Sequence, residues 1–458
     1  MEDMKNGKRS SFSGKLGYVL AAAGASVGLG NIWRFPYLAA KYGGGIFLII
    51  YIVLALTFGY TMIVAETAIG RMTRKSPVGA FKSFGKKKWL SFGGWINAVI
   101  PVLIVPYYSV IGGWVIKYLV EYFRGNAKLL AEDGYFTDFI SNGVSTELCF
   151  VAFCAFTLII IFAGVQNGIE RVSKIMMPIL IVLSVIIAVY SVTRPGALAG
   201  VKYFLVPNVK NFSWMTVVSA MGQMFYSLSI AMGILITFGS YMKKDTAIED
   251  STRNVEIFDT GIAIMAGLMI IPAVFAFSGG DPDTLQAGPS LMFITIPKVF
   301  QNMGFGTVIG IVFFVLVLFA AVTSSIALTE SAVSTFEDEL GWGRKKATVL
   351  VGVIMLALGS LSSLGYGPLA GIKIIGMQFL DLFDFLTNSV MMPIAALITS
   401  LLVSRVVGID KIEEEIIHGE SAFRRKKVFV VMIKYLCPVF AIIILLSSVA
   451  NALGWIKM

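Results

Sequence analysis

The stretch Ala21-Ala22-Ala23-Gly24-Ala25-Ser26-Val27-Gly28-Leu29-Gly30-Asn31-Ile32-Trp33-Arg34-Phe35-Pro36 decides how this chain is built. It sits in a run apolar enough to cross a membrane, yet Gly24, Gly28 and Gly30 fall within it, with Ser26 and Asn31 between and beside them. Glycine in a helix interior costs about 1 kcal/mol relative to alanine, so the run predicts a helix interrupted at mid-membrane depth. A second run, Gly222-Gln223-Met224-Phe225-Tyr226-Ser227-Leu228-Ser229-Ile230-Ala231-Met232-Gly233, again sets small and hydroxyl residues where a lipid-facing helix is uniformly apolar. An interruption strands backbone N–H and C=O groups in hydrocarbon at several kcal/mol each, so it persists only where protein, ion or substrate satisfies them. A freed half-helix N-terminus offers partial positive charge to a carboxylate, and freed carbonyls offer oxygens to a cation. For any single glycine, close helix packing is the ordinary explanation; two matching runs in one chain favour two breaks.

The surroundings of these runs are membrane throughout. Of 458 residues 57% are hydrophobic and 14% charged, more apolar surface than a water-soluble fold can cover. Apolar stretches of the length a bilayer requires recur from Leu16 to Trp455. The net charge of +10 is spread over short connections rather than one basic module, so it reads as topology and not as nucleic-acid binding. Arg71, Arg74, Lys75, Lys82, Lys86, Lys87 and Lys88 mark one connection as cytoplasmic, whereas the next mixes Arg124 and Lys128 with Glu132, Asp133 and Asp138. Cys149, Cys154 and Cys437 lie in or beside apolar runs and suggest no disulfide framework. Lys5, Lys8 and Arg9 read as a cytoplasmic tail without a signal peptide.

The pattern predicts an all-α integral membrane protein with eleven helices at about 15–38, 44–70, 90–122, 147–164, 171–191, 214–241, 254–278, 305–336, 346–362, 372–403 and 429–455. The interrupted runs are then helices one and six, the first members of two five-helix halves, as in an inverted repeat. The expected organisation is a cytoplasmic tail (1–14), a first repeat (15–191), an external connection (192–213), a second repeat (214–403) with an external cap at about 279–303, a cytoplasmic loop (404–428), and helix eleven with a short external tail (429–458). The loop is assigned no chemistry. Gly279–Met303, with its glycines, prolines and amphipathic pieces, reads as a folded cap.

These residues resemble the neurotransmitter:sodium symporter family, and its short bacterial amino-acid members in particular. The likeness runs the length of the chain: Gly24 to Pro36, Gly43-Gly44-Gly45, Gly222-Gln223 with Ser227-Leu228-Ser229, Thr323-Ser324-Ser325, and Phe336-Glu337-Asp338-Glu339-Leu340. It implies a sodium-coupled symporter working by alternating access, with two sodium ions. The first ion would take the Ser26 carbonyl, Asn31, Ser227 and Asp259, completed by the substrate carboxylate. The second would take carbonyls of Gly24, Val27 and Ala320 with the hydroxyls of Thr323 and Ser324. These are hard oxygen ligands suited to a hard cation, and no transition metal is expected. Without the resemblance, Thr323 and Ser324 would more often bond back to the preceding helical turn.

Asp259 is costly in a membrane unless paired, and sodium is the proposed partner. Many family members carry Asn there and bind chloride through Tyr, Gln and Ser; this chain keeps Tyr51, Gln223 and Ser227 but has Ala263 where serine is usual. The reading is that the carboxylate replaces chloride. The resemblance further implies an external gate of Arg34 and Asp384 above Tyr108 and Tyr226, joined by a charge-assisted hydrogen bond, and a cytoplasmic gate of Arg9, Asp338, Phe12 and Tyr241. For each charge, snorkelling to the interface is the competing explanation. Gly168 and Pro178 resemble a cytoplasmic unwinding motif of helix five, whose opening would release the second sodium.

Where monoamine carriers of the family have aspartate, this chain has Gly28. The substrate should therefore bring its own carboxylate, held by Tyr108. Substrate contacts are expected from Ala25, Ser26, Gly28, Leu29, Gly30, Ile104, Tyr108, Tyr226, Ser227, Ser229, Met232 and Leu328, a mainly apolar set that suits a hydrophobic or aromatic amino acid. Ala231, where related carriers often have glycine, narrows the space. The alternatives are a small amino acid such as glycine or alanine, or an ion channel of similar architecture. An enzyme is not expected, since the lone His418 and scattered cysteines form no catalytic constellation. The sequon Asn211-Phe212-Ser213 lies outside any large external loop, and the short loops favour a bacterial inner membrane, N-terminus cytoplasmic and C-terminus external, with a monomer or weak dimer.

Overall fold

A computed structural model of the chain describes residues 9–279, 288–452 and 455. Residues 1–8 of the expected tail, 280–287 of the expected cap, and 453, 454 and 456–458 at the far end lie outside the described residues.

The described residues are helical almost throughout. We label the principal helices α1 (Lys15–Ser26), α2 (Gly30–Lys41), α3 (Gly45–Thr73), α4 (Lys88–Phe123), α5 (Gly143–Phe162), α6 (Val165–Val192), α7 (Trp214–Ser227), α8 (Ile234–Tyr241), α9 (Ile248–Ser278), α10 (Gly306–Leu340), α11 (Arg344–Leu364), α12 (Phe379–Val407) and α13 (Lys426–Asn451). Among the described residues, 9 are long and apolar enough to cross a membrane unbroken, and α1 with α2, bent by 54° at their junction, makes a tenth span. The eleventh expected span is the pair α7 and α8, of 14 and 8 residues, which residues 228–233 separate.

Both interruptions fall in the two runs singled out above, and each has a local cause. At the first, Val27 leaves the helix at φ −74°, ψ 92°, and Asn31 folds its Oδ1 back to accept the Gly28 amide at 3.2 Å. At the second, Ser229 (φ 53°) and Ala231 (φ 59°) adopt the left-handed region before Gly233 at φ 70°. That region costs a non-glycine residue about 1–2 kcal/mol. It is held by Glu66 of α3, whose Oε1 accepts the Ala231 amide at 2.8 Å.

The paired breaks sit inside a scaffold. α1 packs on α6, α9 and α10; α10 runs along α4; α7 and α8 lie against α3. Composition follows position: α5 and α13 have 39% and 33% of their most apolar window buried, against 78% for α4 and 72% for α10, so the former face lipid and the latter carry the interior.

Three boundaries differ from the sequence expectation for physical reasons. α9 starts six residues early because Glu420 of the 408–425 connection caps it, its Oε1 accepting the Glu249 amide at 2.6 Å. α12 starts at Phe379 rather than 372, since Ile374 and Met377 pair across a tight turn with Ile375 at φ 52°. α6 starts at Val165, so Gly168 lies inside it. The 404–428 connection, readable from sequence as a solvated loop or a surface helix, is in part a helix. Its helix Ile409–Ile417 carries Glu415, which forms an ion pair at 2.7 Å with Arg71. Arg71, counted above as a loop charge, is fully buried.

Candidate functional site

Between the breaks lies a cavity of about 350 Å³, walled by Ala25, Ser26, Gly28, Leu29, Gly30, Asn31, Ile104, Tyr108, Tyr226, Ser227, Ser229, Met232, Ser324 and Leu328. These are the twelve expected substrate contacts with Asn31 and Ser324 added.

Glycine is required on the α1–α2 wall by close approach. A Cβ at Gly30 would sit 2.4 Å from the Tyr226 ring, and one at Gly28 2.7 Å from Ser324 Oγ and 3.1 Å from Tyr108 Oη. The peptide backbone of the break is therefore exposed directly to whatever fills the cavity. The Leu29 amide, at the start of α2, donates to Tyr108 Oη at 3.3 Å, which sets a phenol beside a positively polarised helix end.

At one edge of the cavity, polar groups from four helices converge. Asn31 Nδ2 donates to Ser227 Oγ at 2.9 Å and to Asp259 Oδ1 at 2.8 Å. Ser227 Oγ lies 2.9 and 3.0 Å from the two carboxylate oxygens of Asp259. Tyr51 Oη donates to Asp259 Oδ2 at 3.0 Å and lies 3.1 Å from Ser227 Oγ. Asn31 and Asp259 are 0% exposed, so this carboxylate is held by neutral donors alone. Gln223 Nε2 donates to the Gly30 carbonyl at 3.0 Å, and its Oε1 is buried without a partner. Among the described residues no basic side chain pairs with this carboxylate, and an anionic centre held by one neutral amide and two hydroxyls has a charge that a monovalent hard cation would balance.

At the second edge, Ser324 Oγ of α10 lies 3.3, 3.2 and 3.4 Å from the carbonyls of Gly24, Ala25 and Val27. Ser229 Oγ donates to the Ala25 carbonyl at 3.0 Å. Thr323 Oγ1 bonds back to Phe319 and Ala320 carbonyls at 2.9 and 3.2 Å, the ordinary behaviour of a helical threonine. Its Cβ nevertheless comes within 3.1 Å of an ideal Gly24 Cβ position. The Gly24, Val27, Ala320, Thr323 and Ser324 group is thus brought together, and every oxygen in it is neutral.

The end of the molecule carrying Arg9 is sealed. Arg9 forms an ion pair with Asp338 at 2.5 Å, donates from Nε to Ser240 Oγ at 3.1 Å, and lies 5.1 Å above the Tyr241 ring. Phe12 is buried edge-on against Tyr18, Phe238 and Tyr241, and its amide donates to the Tyr241 carbonyl at 3.0 Å. At the other end, the expected Arg34–Asp384 bond is not made: no ion pair within 4 Å joins them among the described residues. Arg34 lies 5.2 Å above the Tyr226 ring. Asp384 Oδ1 accepts instead from Asn388 at 2.5 Å and Tyr107 at 3.2 Å. Those neutral donors satisfy the carboxylate, and the aromatic face attracts the guanidinium.

Gly168 also has a role other than a weak point. Its ideal Cβ would lie 2.1 Å from the Ile160 carbonyl, so glycine is what lets α6 start flush against the end of α5. Pro178 is inside α6, where it removes one backbone donor.

Sequence reasoning assigned no site role to Glu66, Glu330 or Arg344. Glu330 is 0% exposed; it accepts from Tyr241 Oη at 2.7 Å and from Arg344 at 3.0 and 2.5 Å. Arg344 also donates to the Ile161 carbonyl at 2.9 Å, which ties the Arg9 closure to α5 and α11. The signal was available: Glu66 and Glu330 are lone acids inside apolar runs, and such residues are functional candidates by default.

Comparison with known proteins follows this geometry. The chain matches the description "Sodium:neurotransmitter symporter family" over residues 9–137 and 134–455. It is 34% identical over 450 residues to a sodium-dependent transporter of Bacillus subtilis, covering 97% of this chain and 99% of that one. It is 31% identical to a sodium-dependent transporter of Methanocaldococcus jannaschii, covering 89% and 84%. The human sodium- and chloride-dependent GABA transporter 2 is 26% identical, with 89% of this chain and 75% of that one covered. Among solved structures, the crystal structure of MhsT in complex with L-phenylalanine superposes with a TM-score of 0.86 at 34% identity, over 96% of this chain and 100% of that one.

Proposed function

The chain belongs to the sodium:neurotransmitter symporter family, a family of sodium-coupled transporters and not of enzymes, and from that premise we propose that it carries a hydrophobic or aromatic α-amino acid together with sodium. The observation that carries this reading is the wall around Gly28. An acid there would supply the carboxylate that an amine substrate lacks; here Ser324 Oγ and Tyr108 Oη crowd the position instead, and among the described residues no acidic side chain lines the cavity. The passenger must then bring its own carboxylate. That group would sit at the Leu29 amide and Tyr108 hydroxyl, where the α2 helix end favours negative charge. Its ammonium would meet carbonyls of the breaks, and its side chain Ile104, Met232 and Leu328. Met232 is flexible enough to fit several shapes. The bound phenylalanine of the similar MhsT is of this class.

Coupling follows from shared residues. Asn31 and Ser227 belong both to the cavity and to the Asp259 cluster, and Ser26 lines the same cavity. A sodium ion there would complete its shell with the substrate carboxylate, so each ligand raises the affinity of the other by the same factor. The Gly24, Val27, Ala320, Thr323 and Ser324 group would hold a second sodium with neutral ligands, suited to release. Asp259 stands where Tyr51 and Ser227 donate, which supports uptake independent of chloride. The sealed Arg9 end against the unjoined Arg34 and Asp384 is one of two alternating arrangements. We place the protein in a bacterial inner membrane.

The test is uptake into proteoliposomes of a radiolabelled amino-acid panel, with sodium or potassium outside. Saturable, sodium-driven accumulation of phenylalanine, tyrosine, tryptophan or leucine above equilibrium supports the reading. Exclusive uptake of glycine or alanine, or conduction without accumulation, overturns it.

A further inference from the structure

α8 is short, and its neighbours along the chain do not fix it. The break at 228–233 parts it from α7, and residues 242–247 link it to α9. Packing must therefore set its place, above all at its far end, where Ser240 and Tyr241 receive Arg9 and Phe12. Along its length α8 is pressed on α3: a Cβ at Gly70 would lie 2.0 Å from the Ile236 carbonyl oxygen, and one at Gly239 2.5 Å from that of Thr67. Beyond its end, carbonyls need donors from outside the helix.

The end of α3 supplies them. Arg74 Nη1 donates to the Met242 carbonyl at 2.5 Å. Arg71, 0% exposed, donates from Nη1 to the Thr246 carbonyl, from Nε to Glu415 Oε1 at 2.7 Å, and from Nη2 to the Glu415 carbonyl. Lys244, on the link itself, reaches Glu415 Oε2 at 3.0 Å. Glu415 thus grips the link from two sides. The helix that carries it is seated by Ile412 and Ile416, both fully buried, and Glu420 just beyond caps α9. Past α3, the Ser76 amide donates to Asp338 Oδ2 at 2.6 Å, so residues 71–76 hold both halves of the Arg9 closure, the end of α8 and Asp338. A guanidinium suits this task, because its planar fork reaches several acceptors in fixed directions. A buried ion pair adds little stability over apolar packing of the same volume, so its use here is positional. We infer that Arg71 is a positioning residue for closure of the Arg9 end: it fixes the 242–246 link against Glu415 and thereby the place at which Ser240 and Tyr241 meet Arg9. The inference rests on the two alternating arrangements proposed above, not on which amino acid is carried.

The experiment is alkylation of Ser334→Cys, buried one helical turn before Asp338, in the purified full chain, followed at that peptide by mass spectrometry in sodium and in potassium. In potassium, adding Arg71→Gln should speed alkylation about tenfold, the factor one lost charge-assisted hydrogen bond confers. In an Arg9→Ala background it should add less than about twofold, since both changes release the same closure. Saturating sodium should return the Arg71→Gln rate to that of its parent, because ions bound at the assembled oxygen sites favour the arrangement in which sites and seal form together; a chain loosened at large would not recover. Glu415→Gln keeps the shape and removes the charge that orients Arg71; it should act in the same direction and carries the test if the first variant does not fold. Sodium-driven uptake by the wild type tests the transport reading separately. Alkylation unchanged in both variants, an effect that multiplies in full with Arg9→Ala, or one that sodium leaves intact would overturn the assignment.

Discussion

Replacing Asp259 by asparagine isolates the charge at the centre of the site while keeping its shape. In the native arrangement Asn31, Ser227 and Tyr51 each donate to the carboxylate, at 2.8 to 3.0 Å. A hydrogen bond to a charged group contributes about 1 kcal/mol more than one between neutral groups. Three donors losing that assistance therefore cost about 3 kcal/mol of organisation around the cation, or about a hundredfold in sodium affinity. The hydroxyls of Tyr51 and Ser227, no longer claimed by an anion, become free to donate to a diffusible one. Asp259→Asn should thus raise the sodium concentration for half-maximal uptake by about two orders of magnitude in gluconate medium, and chloride should restore much of the loss. The assay is initial-rate uptake in proteoliposomes against sodium concentration, in chloride and in gluconate, for both proteins. Wild-type uptake that collapses without chloride, or a variant with unchanged sodium dependence in both media, would refute the reasoning that this carboxylate serves as the site's resident anion.

Other substitutions test other contacts. Gly30→Ala places a methyl 2.4 Å from the Tyr226 ring, and overpacking of this kind costs about 1–3 kcal/mol; substrate affinity measured by scintillation proximity should fall by about tenfold or more, and the thermal midpoint should fall as well. Arg9→Ala removes the ion pair to Asp338 and the contact with Tyr241, so a cysteine placed at the buried Ser334 should be alkylated faster from the Arg9 side. Gly168→Ala drives a methyl to 2.1 Å from the Ile160 carbonyl and should lower stability by about 1–3 kcal/mol in a thermal melt. Pro178→Ala should leave the melt nearly unchanged and slow opening on the Arg9 side, because it restores a backbone donor to α6; unchanged opening kinetics would remove the case for local unwinding there. Ala231→Gly relieves a left-handed alanine and should raise the melting midpoint, by an amount corresponding to about 1 kcal/mol.

How the sequence and the tertiary structure divided the work is clear from particular residues. Apolar run length, glycine spacing and the placement of Lys and Arg determined an all-helical membrane protein with interruptions near Gly28 and Ser229, because each of those features reports a local partition between water, lipid and backbone strain. The family likeness named the oxygens at the two candidate cation sites. Only the folded chain decided their partners. Asn31 meets Ser227 and Tyr51 meets Asp259 across 196 and 208 residues, a distance over which no periodicity carries information. The same holds where the partners differ from those expected. Arg34 has a carboxylate within its expected reach but lies on Tyr226, since Tyr107 and Asn388 already satisfy Asp384. Gly168, expected to favour local opening, also packs closely against the Ile160 carbonyl. Arg71 looked like a loop charge and is a buried anchor for Glu415. A charge or a glycine announces in sequence only that it is expensive where it stands; which neighbour compensates it is settled by packing between helices that are remote along the chain.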